Sequence, residues 1–210
     1  LRKACVTVSR YLKKKDIVAF ESTVYPGLTE EFCGKILEKE SKLIMNKDFF
    51  LGYSPERINP GDRIHSVDKI IKVVSSNNKK SLKILKEIYS QLTSGQIFIA
   101  KNIKVAEAAK VIENSQRDIN IAFINEIAKI SQKLNISIYD VLEASNTKWN
   151  FLPFYPGLVG GHCIGVDPYY ISFKAKKLGI NPEVILSGRR TNDRMSNFIA
   201  KEIITRIKNS

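Results

Sequence analysis

No apolar run in these 210 residues approaches the roughly 20 needed to span a bilayer. The opening LRKACVTVSRYLKKKD is amphipathic and charged, without the apolar centre of a secretory leader. Cysteine and histidine are scarce. Cys5, Cys33 and Cys163 are odd in number and far apart, with no CxxC pair, which argues against a disulfide framework or a zinc knuckle. Reduced thiols and a cytoplasmic setting are expected. The histidines are His65 and His162. His162 adjoins Cys163, but sequence neighbours usually point apart, so no metal site is expected. A cysteine hydrolase would depend on His65, and nothing around it resembles a triad.

What is present is ordinary in proportion. With 43% hydrophobic and 26% charged residues the chain can bury a substantial core. The net charge of +13 raises nucleic acid as a partner. The lysines, however, are scattered in small groups, Lys13 to Lys15, Lys79 and Lys80, Lys174 to Lys177, with acidic residues between them. Solvated faces account for that pattern, and a small anionic ligand such as a nucleotide sugar fits the basic balance equally well. Neither nucleic acid nor a membrane is the expected partner.

Along the chain, residues 1 to 15 read as a helix and DIVAFESTV, from Asp16, as a short strand ending in Glu21, Ser22 and Thr23. Polar residues at the carboxyl end of such a strand are where open α/β sheets hold ligands. A helix through about Glu40, a strand from Phe49 running into a loop, a strand from Lys69 to Ser76, a helix from about Lys79 to Leu92, and the strand QIFIAKN follow. Strands alternating with helices predict a parallel, doubly wound α/β sheet. Yet there is no GxGxxG anywhere and the first element is a helix, so the pattern is that of the second half of a Rossmann-like dinucleotide-binding domain. From Val105 onward the pattern is helical: about 105 to 134, 138 to 145, 167 to 178, and 182 to the end. Residues 1–104 and 105–210 are therefore the two expected domains, the second mostly helical.

Two features carry candidate chemistry. Lys110, Asn114 and Arg117 share one face of the long helix, while Ala109, Ile112, Ile119 and Phe123 lie elsewhere among apolar neighbours. A solvated face is one reading. Asn is a poor mid-helix residue, and the other reading is an ammonium and an amide, one turn apart, donating to an oxygen that gains negative charge. The second feature is FLPFYPGLVGGHCIGVDPYY, residues 151 to 170. Gly160 and Gly161 let the backbone approach a bound molecule, and Asp167 and Pro168 read as an Asp-then-Pro helix start just past Cys163. A helix amino end favours a thiolate, so Cys163 is either a reactive thiol or a small buried hydrophobe.

ESTVYPGLTEE, GYSPERINPGD, AEAAKVIENSQRDINIAFINE and FLPFYPGLVGGHCIGVDPYY, in this order, resemble the UDP-glucose/GDP-mannose dehydrogenase family. Within that family the likeness is to the UDP-N-acetylhexosamine 6-dehydrogenases, which supply uronic acids for capsule, Vi-type and O-antigen polysaccharides. The resemblance implies oxidation of the C6 alcohol of a nucleotide sugar to a carboxylate in two hydride transfers, with NAD as cofactor and a homodimer or larger homo-oligomer as the assembly. It implies a carboxyl-side half of the NAD-binding domain followed by a helical central dimerisation domain, and hence a fragment. Such a fragment is expected to show no turnover and weak NAD affinity.

By the same resemblance the nucleophile falls on Cys163 and the acidic residue four positions later on Asp167. The lysine and asparagine of the interdomain helix fall on Lys110 and Asn114, and the glutamate of the active-site loop on Glu56. Ser22, Thr23, Ile164, Gly165 and Val166 are expected near the nicotinamide end of NAD. The UDP-sugar is expected against Glu56, Arg57, Ile58, Arg117, Phe151, Leu152, Tyr155, Gly157, Gly160 and Gly161. Many UDP-glucose dehydrogenases carry a second glutamate where this chain has Pro60, while the SPERINPG loop and the SGRRTND segment from Ser187 are similar to the N-acetylhexosamine branch. UDP-glucose, UDP-ManNAc and GDP-mannose remain alternative substrates. A catalytically silent dimerisation module remains an alternative role, because the apolar face of residues 119 to 130 needs a partner.

Overall fold

The computed structural model describes residues 1–58, 64, 66, 68–94, 96–161 and 164–209. His65, His162, Cys163 and Pro60 lie outside the described residues. The chain divides into two compact units, Leu1–Val111 and Ile112–Ser210.

The first unit is built on a four-stranded sheet in the order β1 (Ile17–Phe20), β2 (Phe50–Tyr53), β3 (Lys72–Ser76), β4 (Ile97–Ile99). Helix α1 (Arg2–Ser9) precedes it, a stretch of π-helix (Thr29–Gly34) running into α2 (Lys35–Ser41) joins β1 to β2, and α3 (Lys79–Leu92) joins β3 to β4. The two crossovers that contain helices give parallel pairs, with Val18 opposite Leu51 and Val73 opposite Phe98. The β2–β3 pair is antiparallel, Gly52 opposite Ser76, so the sheet is mixed where alternation alone predicts parallel pairing throughout. The link from β2 to β3 has no helix among its described residues.

Alternation along the strands places a core on each face of this sheet. Val73 joins Cys5, Cys33, Leu37, Phe49, Leu51, Tyr53 and Ile103 on the side of α1 and α2. Val74 joins Leu85 and Tyr89 on the side of α3. Gly52 allows the second layer to close, because a Cβ there would lie 2.2 Å from Leu85 Cδ1. Helix α3 begins at Asn78, whose Oδ1 accepts the N–H groups of Lys80 and Ser81.

Helix α4 (Ile103–Lys133) starts at Asn102, whose side chain accepts the N–H of Val105. At 31 residues it is about 46 Å long. The second unit continues with α5 (Ile138–Asn146), α6 (Asp167–Lys177), α7 (Glu183–Asp193) and α8 (Met195–Lys208). The single terminal helix expected from residue 182 is thus two, parted at Arg194. No described helix is long and apolar enough to cross a membrane.

The long helix buries polar as well as apolar residues. Glu107, Lys110, Asn114, Asp118 and Asn125 are buried, Lys110 and Asn114 at 8% exposure each. Ile112 and Phe123 are 56% and 58% exposed. The solvated-face reading of the Lys110–Asn114 stripe therefore fails, and Arg117 beside it is half-buried. One apolar stripe, Ile112, Phe123 and Ile130, is left open, while Ile103, Val111 and Ile124 are buried.

Candidate active site

The loop after β1, at the carboxyl end of that strand, is held from two sides. Glu107 on α4 accepts the backbone N–H of Gly27 at 2.5 Å and of Thr29 at 2.9 Å. Tyr53 donates its hydroxyl to the carbonyl of Ser22 at 3.2 Å. Burial pushes the Glu107 carboxyl up, against hydrogen bonds from Thr29 and Gly27 that pull it down. Gly27 has φ of 95°, a left-handed turn suited to glycine. Between these anchors Ser22 is exposed and Thr23 half-buried.

Glu56 follows β2. Its Oε1 accepts the backbone N–H groups of Arg57 at 2.7 Å and Ile58 at 2.8 Å, and its Oε2 lies 3.5 Å from Lys72 Nζ. The Glu56 carboxylate has an ion-pair partner on β3. Lys72 takes that role, and the Arg57 guanidinium donates to the carbonyl of Ile71. Burial alone would raise the Glu56 carboxyl. The N–H of Ile58, the Lys72 ammonium and the N–H of Arg57 outweigh it and hold the carboxyl below the usual carboxylate range.

A folded-state pKa below the unfolded one means stability that is present above the unfolded value and lost as pH falls through the folded one. Urea midpoints measured from pH 6 to pH 3 are expected to fall less steeply in Glu56→Gln than in the wild type. Superimposable acid limbs would contradict the pairing.

Lys72 also lies 5.6 Å from the centroid of the Tyr89 ring, and the Tyr89 hydroxyl donates to Glu21 at 2.7 Å. Burial and the adjacent Glu21 push the Tyr89 hydroxyl up. A lysine at an inward position of the apolar strand KVVSS was the available signal for this cluster.

In the second unit, Asn114 Nδ2 donates to Asp167 Oδ2 at 2.5 Å, and both residues are buried. Asp167 and Pro168 open α6, as their order predicts, but the cap position is Val166 and no side chain caps the helix. The Asp167 carboxylate faces Asn114, a partner 53 residues away that no local helix signal anticipates. Ile164 and Gly165 are half-buried and Val166 is exposed.

Residues 151–161 form a loop without regular structure, Phe151 half-buried, Leu152 and Tyr155 exposed. Beside Gly157, Gly160 and Gly161 there is open space where a Cβ would stand, and only Gly161, with φ of 82°, needs glycine for its backbone. Deeper in this unit Asp118 accepts from Arg189 Nη1 at 2.6 Å and from Asn192 at 2.7 Å, and Arg189 also pairs with Asp193. Burial pushes the Asp118 carboxyl up, while Asn192 and Arg189 oppose the shift.

Cys5 and Cys33 are buried free thiols. Burial and the neighbouring Cys5 push Cys33 up to about 12, which makes it a poor nucleophile at neutral pH.

The first unit is thus a mixed α/β sheet with polar residues at a strand's carboxyl end, and the second is helical with a buried Asn–Asp pair. Residues 1–93 match the NAD binding domain and residues 104–194 the central domain of the UDP-glucose/GDP-mannose dehydrogenase family. The chain belongs to that family.

It is 57% identical over 204 residues to Protein CapL of Staphylococcus aureus, covering 97% of this chain and 48% of that protein. It is 54% identical, over the same shares, to the UDP-N-acetyl-D-glucosamine 6-dehydrogenases of Salmonella typhi and Pseudomonas aeruginosa. Among solved structures, UDP-D-ManNAc dehydrogenase from Pyrococcus horikoshii superposes with a TM-score of 0.90 at 31% identity, over 99% of this chain and 49% of that one. The chain spans about half the length of these relatives.

Proposed function

We propose that the protein containing this chain is an NAD-dependent nucleotide-sugar 6-dehydrogenase that oxidises the C6 alcohol of a UDP-N-acetylhexosamine to the uronate, for surface polysaccharide synthesis. The observation that carries the reading is the buried Asn114–Asp167 pair, whose carboxylate follows Cys163 by four residues. It occurs in a chain more than half identical to two UDP-N-acetyl-D-glucosamine 6-dehydrogenases.

The nicotinamide end of NAD fits the loop after β1, where Glu107 and Tyr53 fix the backbone around Ser22 and Thr23. No GxGxxG is present, so no residue here is assigned to the pyrophosphate. NAD, when bound, supplies the hydride acceptor. Ile164, Gly165 and Val166 complete the residues assigned to its reactive end.

The chain's own groups do the rest. An aldehyde gives up a second hydride only after a nucleophile has added to its carbonyl, and the Cys163 thiolate is suited to that addition. The sulfur–carbon bond forms as the carbonyl oxygen takes up a proton, giving a thiohemiacetal. Loss of the second hydride together with the hydroxyl proton leaves a thioester, and water then cleaves the sulfur–carbon bond to release the uronate and restore the thiol.

Lys110 and Asn114, buried one turn apart on α4, donate to the oxygen that gains charge, an effect of about 3–4 kcal/mol per donor. Asn114 has a second N–H to give beyond the one held by Asp167. Glu56, ionised at neutral pH, is assigned to the hydrolytic water, with Asp167 supporting the thiol's surroundings. Arg57, Ile58, Arg117 and the loop from Phe151 to Gly161, with Leu152, Tyr155, Gly157 and Gly160, are assigned to the nucleotide sugar.

NADH formation by the full-length protein across a panel of UDP-GlcNAc, its galacto and manno epimers, UDP-glucose and GDP-mannose tests the reading. UDP-N-acetylhexosamine is the expected substrate. A preference for UDP-glucose or GDP-mannose would move the protein to another branch, and no NADH with any of them would overturn the enzyme reading.

A second copy of the chain is the proposed occupant of the open face of α4. Ile112, Phe123 and Ile130 are exposed there, and an apolar groove of about 270 Å³ is lined by Ile112, Ile119, Ile171 and Ile185. Burying such a face is the driving force for association. Phe123→Asp in the full-length protein is expected to halve the mass seen by light scattering, and an unchanged mass would remove this face from the interface.

A further inference from the structure

The SGRRTND segment has no role in the chemistry above, yet it ends in a buried network. Arg189 and Asn192 on α7 both bind Asp118 of α4, Asn192 through the Asp118 carbonyl at 2.9 Å as well as its carboxylate at 2.7 Å. Asn192 Oδ1 in turn accepts from Asn125 Nδ2 at 2.9 Å. Asn125, also on α4 and fully buried, reaches Gly157 in the loop: its Oδ1 accepts the Gly157 N–H at 2.8 Å and its Nδ2 donates to the Gly157 carbonyl at 2.9 Å.

A carboxamide offers one acceptor and two donors, and here all three are used. Two of them pair with a peptide unit in the manner of a neighbouring strand, and the third fixes which way the amide faces. These two bonds tie the loop to α4 at Gly157, while the N–H groups of Phe151 and Phe154 bond locally to the carbonyls of Lys148 and Leu152.

We propose that Asn125 is a positioning residue for the nucleotide-sugar loop: oriented by Asn192, its carboxamide grips the peptide of Gly157 and sets the course of residues 151–161 over the bound UDP-sugar. The inference rests on the assignment of that loop to the sugar nucleotide. A polar residue at zero exposure in a 31-residue helix is expensive unless every polar atom is paired, and pairing it to both backbone groups of Gly157 ties the loop's path at that point to the helix. The ion pair of Arg189 with Asp118 anchors the far end, so the loop is referred to buried charge and not to the surface.

Amide hydrogen exchange and steady-state kinetics on the full-length protein test this together. In the wild type the Gly157 amide is expected to exchange at least about tenfold more slowly than those of Leu158 and Gly160, and exchange at the same rate would refute the clamp. In Asn125→Leu and in the isosteric Asn125→Asp, exchange across 153–160 is expected to speed up. The KM for the UDP-sugar is expected to rise about tenfold while the KM for NAD stays within about twofold.

A loss of folded fraction that lowers both substrates' kinetics alike, or a released loop with an unchanged sugar KM, would overturn the positioning role. If both variants fail to fold, the wild-type exchange pattern decides. A wild type without NADH formation on any nucleotide sugar would sink the enzyme reading, and the exchange result alone would then decide whether the clamp exists.

Discussion

Cys163→Ala in the full-length protein is expected to lower uronate formation by about 10⁴-fold or more, because the second oxidation loses its covalent step. The first oxidation, from alcohol to aldehyde, needs no thiol, so the variant is expected to retain a slow formation of NADH with aldehyde as its product. Serine at the same position retains a nucleophile but with a hydroxyl that is not ionised near neutral pH. Cys163→Ser is accordingly expected to stall or release partly oxidised sugar. Chromatography of the sugar products against NADH formed separates these cases. Undiminished acid production by either variant would remove the thioester from the mechanism. The other two cysteines offer no substitute: Cys5 and Cys33 are buried in the core of the first unit.

Lys110→Ala is expected to lower kcat by about 10²–10³ with little change in KM. The lysine is 8% exposed on a helix whose neighbouring turn is tied through Glu107 to the backbone of Gly27 and Thr29. With the side chain largely buried, a hydrogen bond donated to a developing oxyanion is little screened by water. Lys110→Met keeps much of the stem and removes the charge, so equal losses in the two variants assign the effect to the ammonium. A KM effect with unchanged kcat would make Lys110 a residue for substrate binding only.

Local signals carried much of the fold. Asn78 before a periodic run marks the start of α3, and the run ends at Leu92 where the sequence pattern ends it. Helix α4 was equally legible to within two residues, since nothing between Ile103 and Lys133 interrupts it. The antiparallel β2–β3 pair was not legible, because strand direction depends on pairing between distant segments and not on periodicity. The break at Arg194 carries no glycine or proline signal at the point where it occurs, and Gly34 at the end of the π-helical stretch from Thr29 does not by itself announce a π-helix.

For the candidate site the lesson is one of sign. A stripe of Lys110, Asn114 and Arg117 ordinarily faces water, and the asparagine was the one hint that it does not. Asn114 is buried because Asp167 answers it from α6, and Asn125 because Gly157 and Asn192 answer it. Such partners lie 32 to 67 residues away in the chain, so a helical wheel shows the polar face without showing what it is for. An apolar stripe of the same helix, Ile112, Phe123 and Ile130, is exposed.

The most direct test of the account is the ratio of NADH formed to nucleotide sugar consumed by the full-length protein acting on UDP-GlcNAc to completion. Two NADH per sugar, with the uronate as the product, is the predicted result. One NADH per sugar, with an aldehyde or ketone as the stable product, would contradict the two-step oxidation at C6.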